Sequence, residues 1–580
     1  MKNKQKIMRK IFNKISIALA SALVVFLVGC DTTDLSVVPS PNALNPEQAS
    51  VDFFLNQIQQ QVAEIHSGEE DRNENGLSQY GMEPVRILNA GGPTYRDVYA
   101  PSDFDRLWDN VYARALIDIR TMNPLAEEAG QFTHIAIGQI LEAYVMMSMV
   151  DFFGDIPYSE AVSGGTGILN PIVDSGASIY QAADQLLLDA IANLNKDELV
   201  LPTNDLFYNG NESKWIRAAN TMRLKLYLQT RLANDGDFGA SKSTSIINSL
   251  IAANQLILNS SDDLQFQWAT SNAAPDSRHP YFAANFDGQG PSSDFYMSNY
   301  YMNLLANQYD NPDPRIRYYL YRQVSDFSAA DVVTKECVTE ISTPSWWDAN
   351  EPYCLVPNIN GLDGFWGRNH LDDDGIPPDQ QFRTVFGVYP VGGPFDDDSF
   401  RNVSGSTAVS EGLAGAGISP IMMSSYTNFM LAEAALTLGT TGDPRTYLEN
   451  GIRSSINKVV SFGSSLSAES GLAPSSAYID AHVADILAVY DAGSDTDKLR
   501  VIVEQYFIAL WGNGIEAFNT FRRTGQPDNV TPGFVLQDSG NFLRSMWYPQ
   551  VASDNNTNIS QKAAPDTPVF WDTNAAGFVE

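Results

Sequence analysis

The sequence predicts a mainly helical body of closely packed helix pairs, interrupted by one long loop-rich region. Three observations predict it. Apolar residues recur at spacings of three and four through both ends of the chain, which places each set on one helix face. Small residues cluster on the same stretches. Between about residues 260 and 420 the helical period fades and Gly, Pro, Asp, Asn and aromatics take over.

Asn45-Pro46-Glu47 opens the first helix with a capping side chain, a proline at the first position and an acid near the positive end of the dipole. Ile58, Val62 and Ile65 continue it. Phe104, Leu107, Val111 and Leu116 mark a second helix. Ile137, Leu141, Tyr144 and Val145 mark a third, which ends at Phe153-Gly154. Tyr180, Ala183, Leu187, Ile191 and Leu194 mark a fourth, and Trp215, Ala219, Met222 and Leu226 a fifth, with Trp215 read as core. The loop-rich region shows helical period only near Tyr300 to Asn307. The pattern then returns over 429–438, 447–460, 478–490 and 499–511, and over 515–521 after the turn Gly512-Asn513-Gly514. Ala136, Gly138, Ala143, Ala432, Ala434 and Ala435 allow the close approach found in helical repeats. No clean repeat of about 34 residues stands out, so tetratricopeptide-like pairs are indicated by texture and not by period.

Lys2, Lys4, Lys6, Arg9, Lys10 and Lys14 precede an apolar run from Ile15 to Val28, which closes on Leu27-Val28-Gly29-Cys30. A cationic start, a short apolar core and small residues at the cut mark an export signal. The run is shorter than the ~20 residues of an ordinary membrane span. Residues 1–29 are therefore read as a lipoprotein signal peptide, Cys30 as the lipidated residue, 30–44 as a flexible tether and 45–580 as a single domain. The alternative is an uncleaved anchor with an accidental cysteine.

The chain carries 36 basic and 69 acidic side chains, a formal charge of −33. Six of the basic groups and none of the acidic ones lie in residues 1–29. That balance excludes nucleic acid, whose affinity depends on cations neutralising phosphates, and leaves the lipid as the route to a membrane. Cys337 and Cys354 are a disulfide candidate in an oxidising compartment, with two free thiols as the alternative.

The five histidines form no His-Glu-x-x-His pattern, and no Gly-x-Ser-x-Gly elbow occurs. Asp372-Asp-Asp-Gly375 fails the calcium-loop spacing, and Asp396-Asp-Asp398 reads as a solvated charge run. No metal or cofactor is expected. A glycosidase carboxylate pair stays open, because acids are plentiful and no motif selects two.

Sugar rings lie flat on Trp and Tyr while polar groups bond their hydroxyls. Aromatics in irregular stretches are the better candidates for such contacts. Trp346, Trp347, Tyr353 and Trp366 are selected from the loop-rich region, with Tyr95 and Tyr99 from the loop before the Phe104 helix. Arg368 and Asp379 are the polar candidates. Loop packing is the alternative for each.

Several stretches resemble, in order, the SusD/RagB family and its SusD-like subgroup. They are Asn42-Ala-Leu-Asn-Pro-Glu-Gln-Ala49, Val150-Asp-Phe-Phe-Gly-Asp-Ile-Pro-Tyr158, Lys214-Trp215 with Ala219-Asn220, and Asp313-Pro-Arg315. Trp366-Gly-Arg-Asn-His370, Gly387-Val-Tyr-Pro390, Ile508-Ala-Leu-Trp511 and Phe521-Arg-Arg-Thr-Gly525 follow. The resemblance implies a SusD-like helical body with a loop-rich ligand face on the outer membrane. It implies a nutrient-binding lipoprotein that captures a glycan or other oligomer for a SusC-like TonB-dependent transporter and does not act as an enzyme. A lipid-anchored hydrolase of the same polymer is the competing class. Most shared residues are expected to be scaffold: Gly154 and Pro157 at a helix exit, Tyr158 plugging the core, and Arg522 and Arg523 on helix-end carbonyls or acids such as Glu516.

Overall fold

The computed structural model describes residues 50–69, 74–198, 200–234, 236–286, 296–325, 364–372, 383–403, 410–534 and 539–579. Cys30, Cys337, Cys354, Trp346, Trp347, Tyr353 and Asp379 lie outside them. Residues from Val51 onward form one compact unit.

Helix α1 spans Val51–Ser67 and α2 Leu77–Met82. The helical run α3 follows as Asp105–Asp109, a π segment Asn110–Leu116, and Ile117–Glu128. Next come α4 (Phe132–Phe153), α5 (Gly176–Leu194), α6 (Glu212–Gln229) and α7 (Ala240–Ala253). The C-terminal part contributes α8 (Ser424–Leu438), α9 (Pro444–Gly463), α10 (Ser476–Ala492), α11 (Asp495–Ala509), α12 (Gly514–Thr524) and the short α13 (Gln550–Asn555). The fold is mainly helical, as the sequence predicts. Helices α2, α7 and α13 and the extension of α3 past Leu116 are not predicted by the sequence pattern.

Consecutive helices pack as pairs: α4 on α5, α5 on α6, and α8 on α9. Helix α4 is long and apolar enough to cross a membrane, but it is apolar on every side because it is wrapped by the body, with 94% of its apolar window buried. It stops at Gly154, whose φ of 78° an L side chain rarely adopts. The N- and C-terminal parts meet closely where α2 crosses α12: a Cβ at Gly81 would lie 2.2 Å from the Gly514 carbonyl oxygen.

The loop-rich region begins and ends at one place. Strand Leu264–Gln267 pairs antiparallel with Ile418–Met422, setting Leu264 opposite Met422 and Gln267 opposite Ile418. Inside the region, Pro280–Phe286, Asn299–Asn307 and Ile316–Tyr319 are helical, which is more helix than its composition predicts. The Asp396 to Asp398 run is not simply solvated. Asp396 is buried on Arg322 at 2.6 Å, and Asp398 pairs with Arg317 at 3.0 Å. The two arginines come from over seventy residues upstream, which spacing alone does not reveal.

Buried charges cross the helical core. Lys225 of α6 sits 3.3 Å from Asp151 of α4 and 3.1 Å from Glu516 of α12. Asp151 also accepts from Asn519 at 2.6 Å, from Trp571 Nε1 at 2.9 Å and from the Tyr180 hydroxyl. Glu433 of α8 takes Arg523 at 2.8 Å and Arg231 at 2.9 Å. Burial pushes the Glu433 carboxyl up, but the two guanidiniums outweigh it and hold the group below its ordinary range. The partner of Arg523 is thus Glu433 and not Glu516. Arg522 instead donates to the Asp151 and Arg544 carbonyls. Trp215 is fully buried and donates to Asp205 at 2.8 Å, and Tyr158 is half-buried against Arg120 and Glu142.

Candidate functional site

The loop between α2 and α3 is stitched to the loop-rich region. Leu88 bridges Met297, Ser298 bridges Arg368, and Leu371 donates to the Ala90 carbonyl. The four described candidates from the sequence fall on this seam. Tyr95 is buried against His370 and Phe542, and its hydroxyl accepts from Arg86 at 2.9 Å. Trp366 is buried, with its amide donating to Thr384 Oγ1. The Arg368 guanidinium is buried 4.4 Å from the Tyr296 ring centroid and 3.7 Å from Asp372. Tyr95, Trp366 and Arg368 are therefore buried in the packing of this seam. Their aromatic and cationic chemistry is spent on the seam.

Tyr99 is different, because one edge reaches a cleft. Its ring packs on Tyr80 and Phe104 and its hydroxyl donates to Glu83 at 2.5 Å. Burial, reinforced by the Glu83 carboxylate, raises this phenol well above its ordinary value, so it stays a donor. Its outer edge joins Arg96, Trp547, Gln561 and Lys562 around a cleft of about 450 Å³. The last three residues come from a C-terminal strap, residues 547–562, that contains α13. Three contacts fix the strap. Val551 N donates to Asp105 at 2.8 Å, Tyr548 Oη to the Asp155 carbonyl at 2.7 Å, and Asn556 Nδ2 to the Pro171 carbonyl at 2.9 Å.

The cleft mixes ring surface with donors. The Arg96 guanidinium lies 5.4 Å from the Trp547 centroid. Gln561 bonds Tyr548 in both directions, at 3.0 and 2.7 Å. Lys562 Nζ donates to Ser545 Oγ at 2.8 Å and to the Met546 carbonyl at 2.7 Å. Burial pushes this ammonium down to about 7, Arg522 adds to the effect and Asp155 opposes it. Trp547, Gln561 and Lys562 were not among the residues selected from sequence. The same criterion, aromatics in irregular stretches, applies equally to Trp547 in the tail.

The other flank of the strap faces a second cleft of about 500 Å³, lined by Trp108, Tyr112, Ile117, Leu169, Val551 and Ile559 among others. Trp108 and Tyr112 pack at 4.6 Å, and Leu169 is 78% exposed. Among the described residues no charged side chain lines this cleft.

Paired helices carry a loop-built surface cleft that mixes aromatic and polar side chains. Residues 41–335 match a family model described as starch-binding and associating with the outer membrane, and residues 413–566 match one described as SusD and RagB outer-membrane lipoprotein. The first alone spans half of the chain, and the chain belongs to the SusD-like family. Among solved structures, a SusD homologue from Bacteroides fragilis NCTC 9343 is 19% identical with a TM-score of 0.64, covering 91% of this chain and 100% of that one. A chitin-binding SusD homologue from Flavobacterium johnsoniae is 19% identical with a TM-score of 0.60, covering 90% and 99%. A further protein described as chitin-binding is 19% identical with a TM-score of 0.62, covering 91% and 100%. At these identities the likeness is one of fold. No curated protein matches the chain.

Proposed function

We propose that this protein is a cell-surface nutrient-binding lipoprotein. It is held on the outer membrane through lipid on Cys30, captures an oligomeric glycan and passes it to a SusC-like TonB-dependent transporter. The observation that carries the reading is membership of the SusD-like family across both parts of the chain. The Arg96, Trp547, Gln561 and Lys562 cleft supports it, since ring surface beside several donors suits a sugar. Two structural neighbours described as chitin-binding support a glycan over other oligomers. Trp346, Trp347, Tyr353 and Asp379 are proposed as further contacts, and Cys337 with Cys354 as a disulfide. A protein tethered beside its transporter needs only modest affinity, because local concentration does the rest.

The test is to incubate the Cys30→Ser protein with a panel of polysaccharides, following both retention and product release. Saturable retention without cleavage is expected. Bond cleavage would replace this reading with the hydrolase, and a Cys30→Ser protein still firmly membrane-bound would remove the lipid anchor.

A further inference from the structure

Many cations of this acidic chain are neutralised in place. Arg114, Arg223, Arg315, Arg322 and Arg523 each sit within 3 Å of a carboxylate oxygen. Arg96 and Lys562 line one cleft, and among the described residues neither has a carboxylate within ion-pair distance. Asp97 lines the same cleft, but its Oδ2 accepts from Thr94 Oγ1 at 2.6 Å within its own loop.

The donor geometry fits an incoming anion. The Arg96 guanidinium carbon lies 5.4 Å from the Trp547 ring centroid, and a guanidinium presents its N–H groups in the fork that matches carboxylate and sulfate oxygens. One of those groups reaches the Ala563 carbonyl at 3.4 Å. An ammonium has three N–H donors, and the two Lys562 partners leave one over. With a formal charge of −33 the whole protein repels anions at long range. Arg96, joined by Lys562 when that amine is protonated, provides attraction only at contact, where screening is weakest.

We propose that this cleft selects acidic sugar residues, seating a uronate carboxylate or a sugar sulfate between Arg96 and Lys562 with the ring against Trp547. This rests on the glycan-capture reading and names its ligand class. The experiment is calorimetric titration of the Cys30→Ser protein with polygalacturonate oligomers, sulfated galactan oligomers, and neutral gluco- and chito-oligosaccharides, at low and physiological salt.

Acidic oligomers should bind about tenfold more tightly than neutral ones, the scale of one charge-assisted contact, and should weaken with salt. Whether the carboxylate or the sulfate arm binds identifies the anion. Arg96→Gln should lower that affinity about tenfold at an unchanged melting midpoint, because Arg96 is exposed. Lys562→Met is the second variant and should act in the same direction. Equal binding of neutral and acidic oligomers, with Arg96→Gln silent, overturns the selection and leaves glycan capture standing. Binding of none of them overturns both.

Discussion

The two clefts flanking the C-terminal strap share a backbone and differ in nearly everything else. Trp547, Gln561 and Lys562 face one side, beside Arg96 and Tyr99, while Val551, Ala552 and Ile559 face the other, beside Trp108 and Tyr112. Both contain a tryptophan and both are of ligand size. Among the described residues only the first is lined by cationic side chains, and these have no carboxylate at ion-pair distance. The second has an aromatic pair and an apolar lip but no charge to orient a polar guest. An aromatic ring in a cleft is therefore a weak sign of recognition by itself. The groups left over around the ring carry more information, since polar contacts set orientation while apolar area sets only attraction.

The comparison breaks most visibly at Trp108. Its ring packs on Tyr112 and edge-on to Phe153 at 5.9 Å. Trp108 is half-buried, so Trp108→Ala should cost about 2 kcal/mol in a denaturant titration, less than a full core truncation, with oligosaccharide affinity retained. Lost binding at an unchanged midpoint would make the apolar cleft the recognition site and invert the contrast.

Lys562 sharpens the comparison through pH. Its folded ionisation near 7 lies below the ordinary 10.5, and the groups around it are Arg522, Asp155, Ser545 and the Tyr548 ring. Between pH 7 and about 10 the unfolded chain keeps a proton that the folded chain has released. The stability contributed here therefore rises with pH across that window, and the penalty is full below pH 7. Lys562→Met should flatten that rise in melting midpoint against pH, and an unchanged slope would place the lysine in solvent. The smallest effect belongs to Leu169, which is 78% exposed. Leu169→Ser should change stability by less than about 0.5 kcal/mol and leave glycan titrations unaltered; a clear loss of binding would assign the apolar lip a role in capture.

The helices were legible in sequence because each reports its own buried face. The stretches from Ile137 to Phe153 and from Trp215 to Leu226 lie inside α4 and α6, and the Gly154 stop has a local backbone cause. The family was legible from motifs that turn out to be scaffold, such as Asp313 clamped to Arg315 at 2.6 Å. The cleft was not legible. Arg96 and Tyr99 lie more than four hundred residues before Trp547 and Lys562, and only tertiary bonds such as Val551 to Asp105 bring them together. Tyr95 and Trp366 satisfied the same loop-aromatic criterion as Tyr99, yet the seam between 88–90, 296–299 and 364–372 consumed them. Composition marks a stretch as irregular without saying which way its rings turn.

The buried charges also determine where the chain can be divided. The two family models match separate segments of the chain. Lys225 belongs to the first and Glu516 to the second, as do Gln229 and Arg523, and every one of these side chains is shut away from water. Cutting the chain between the segments would leave Asp151 with Lys225 and Arg523 with Glu433, but it would take Lys225 from the buried Glu516 and Arg231 from Glu433, and a buried carboxylate that loses its ion-pair partner costs several kcal/mol. The protein is thus indivisible at its centre.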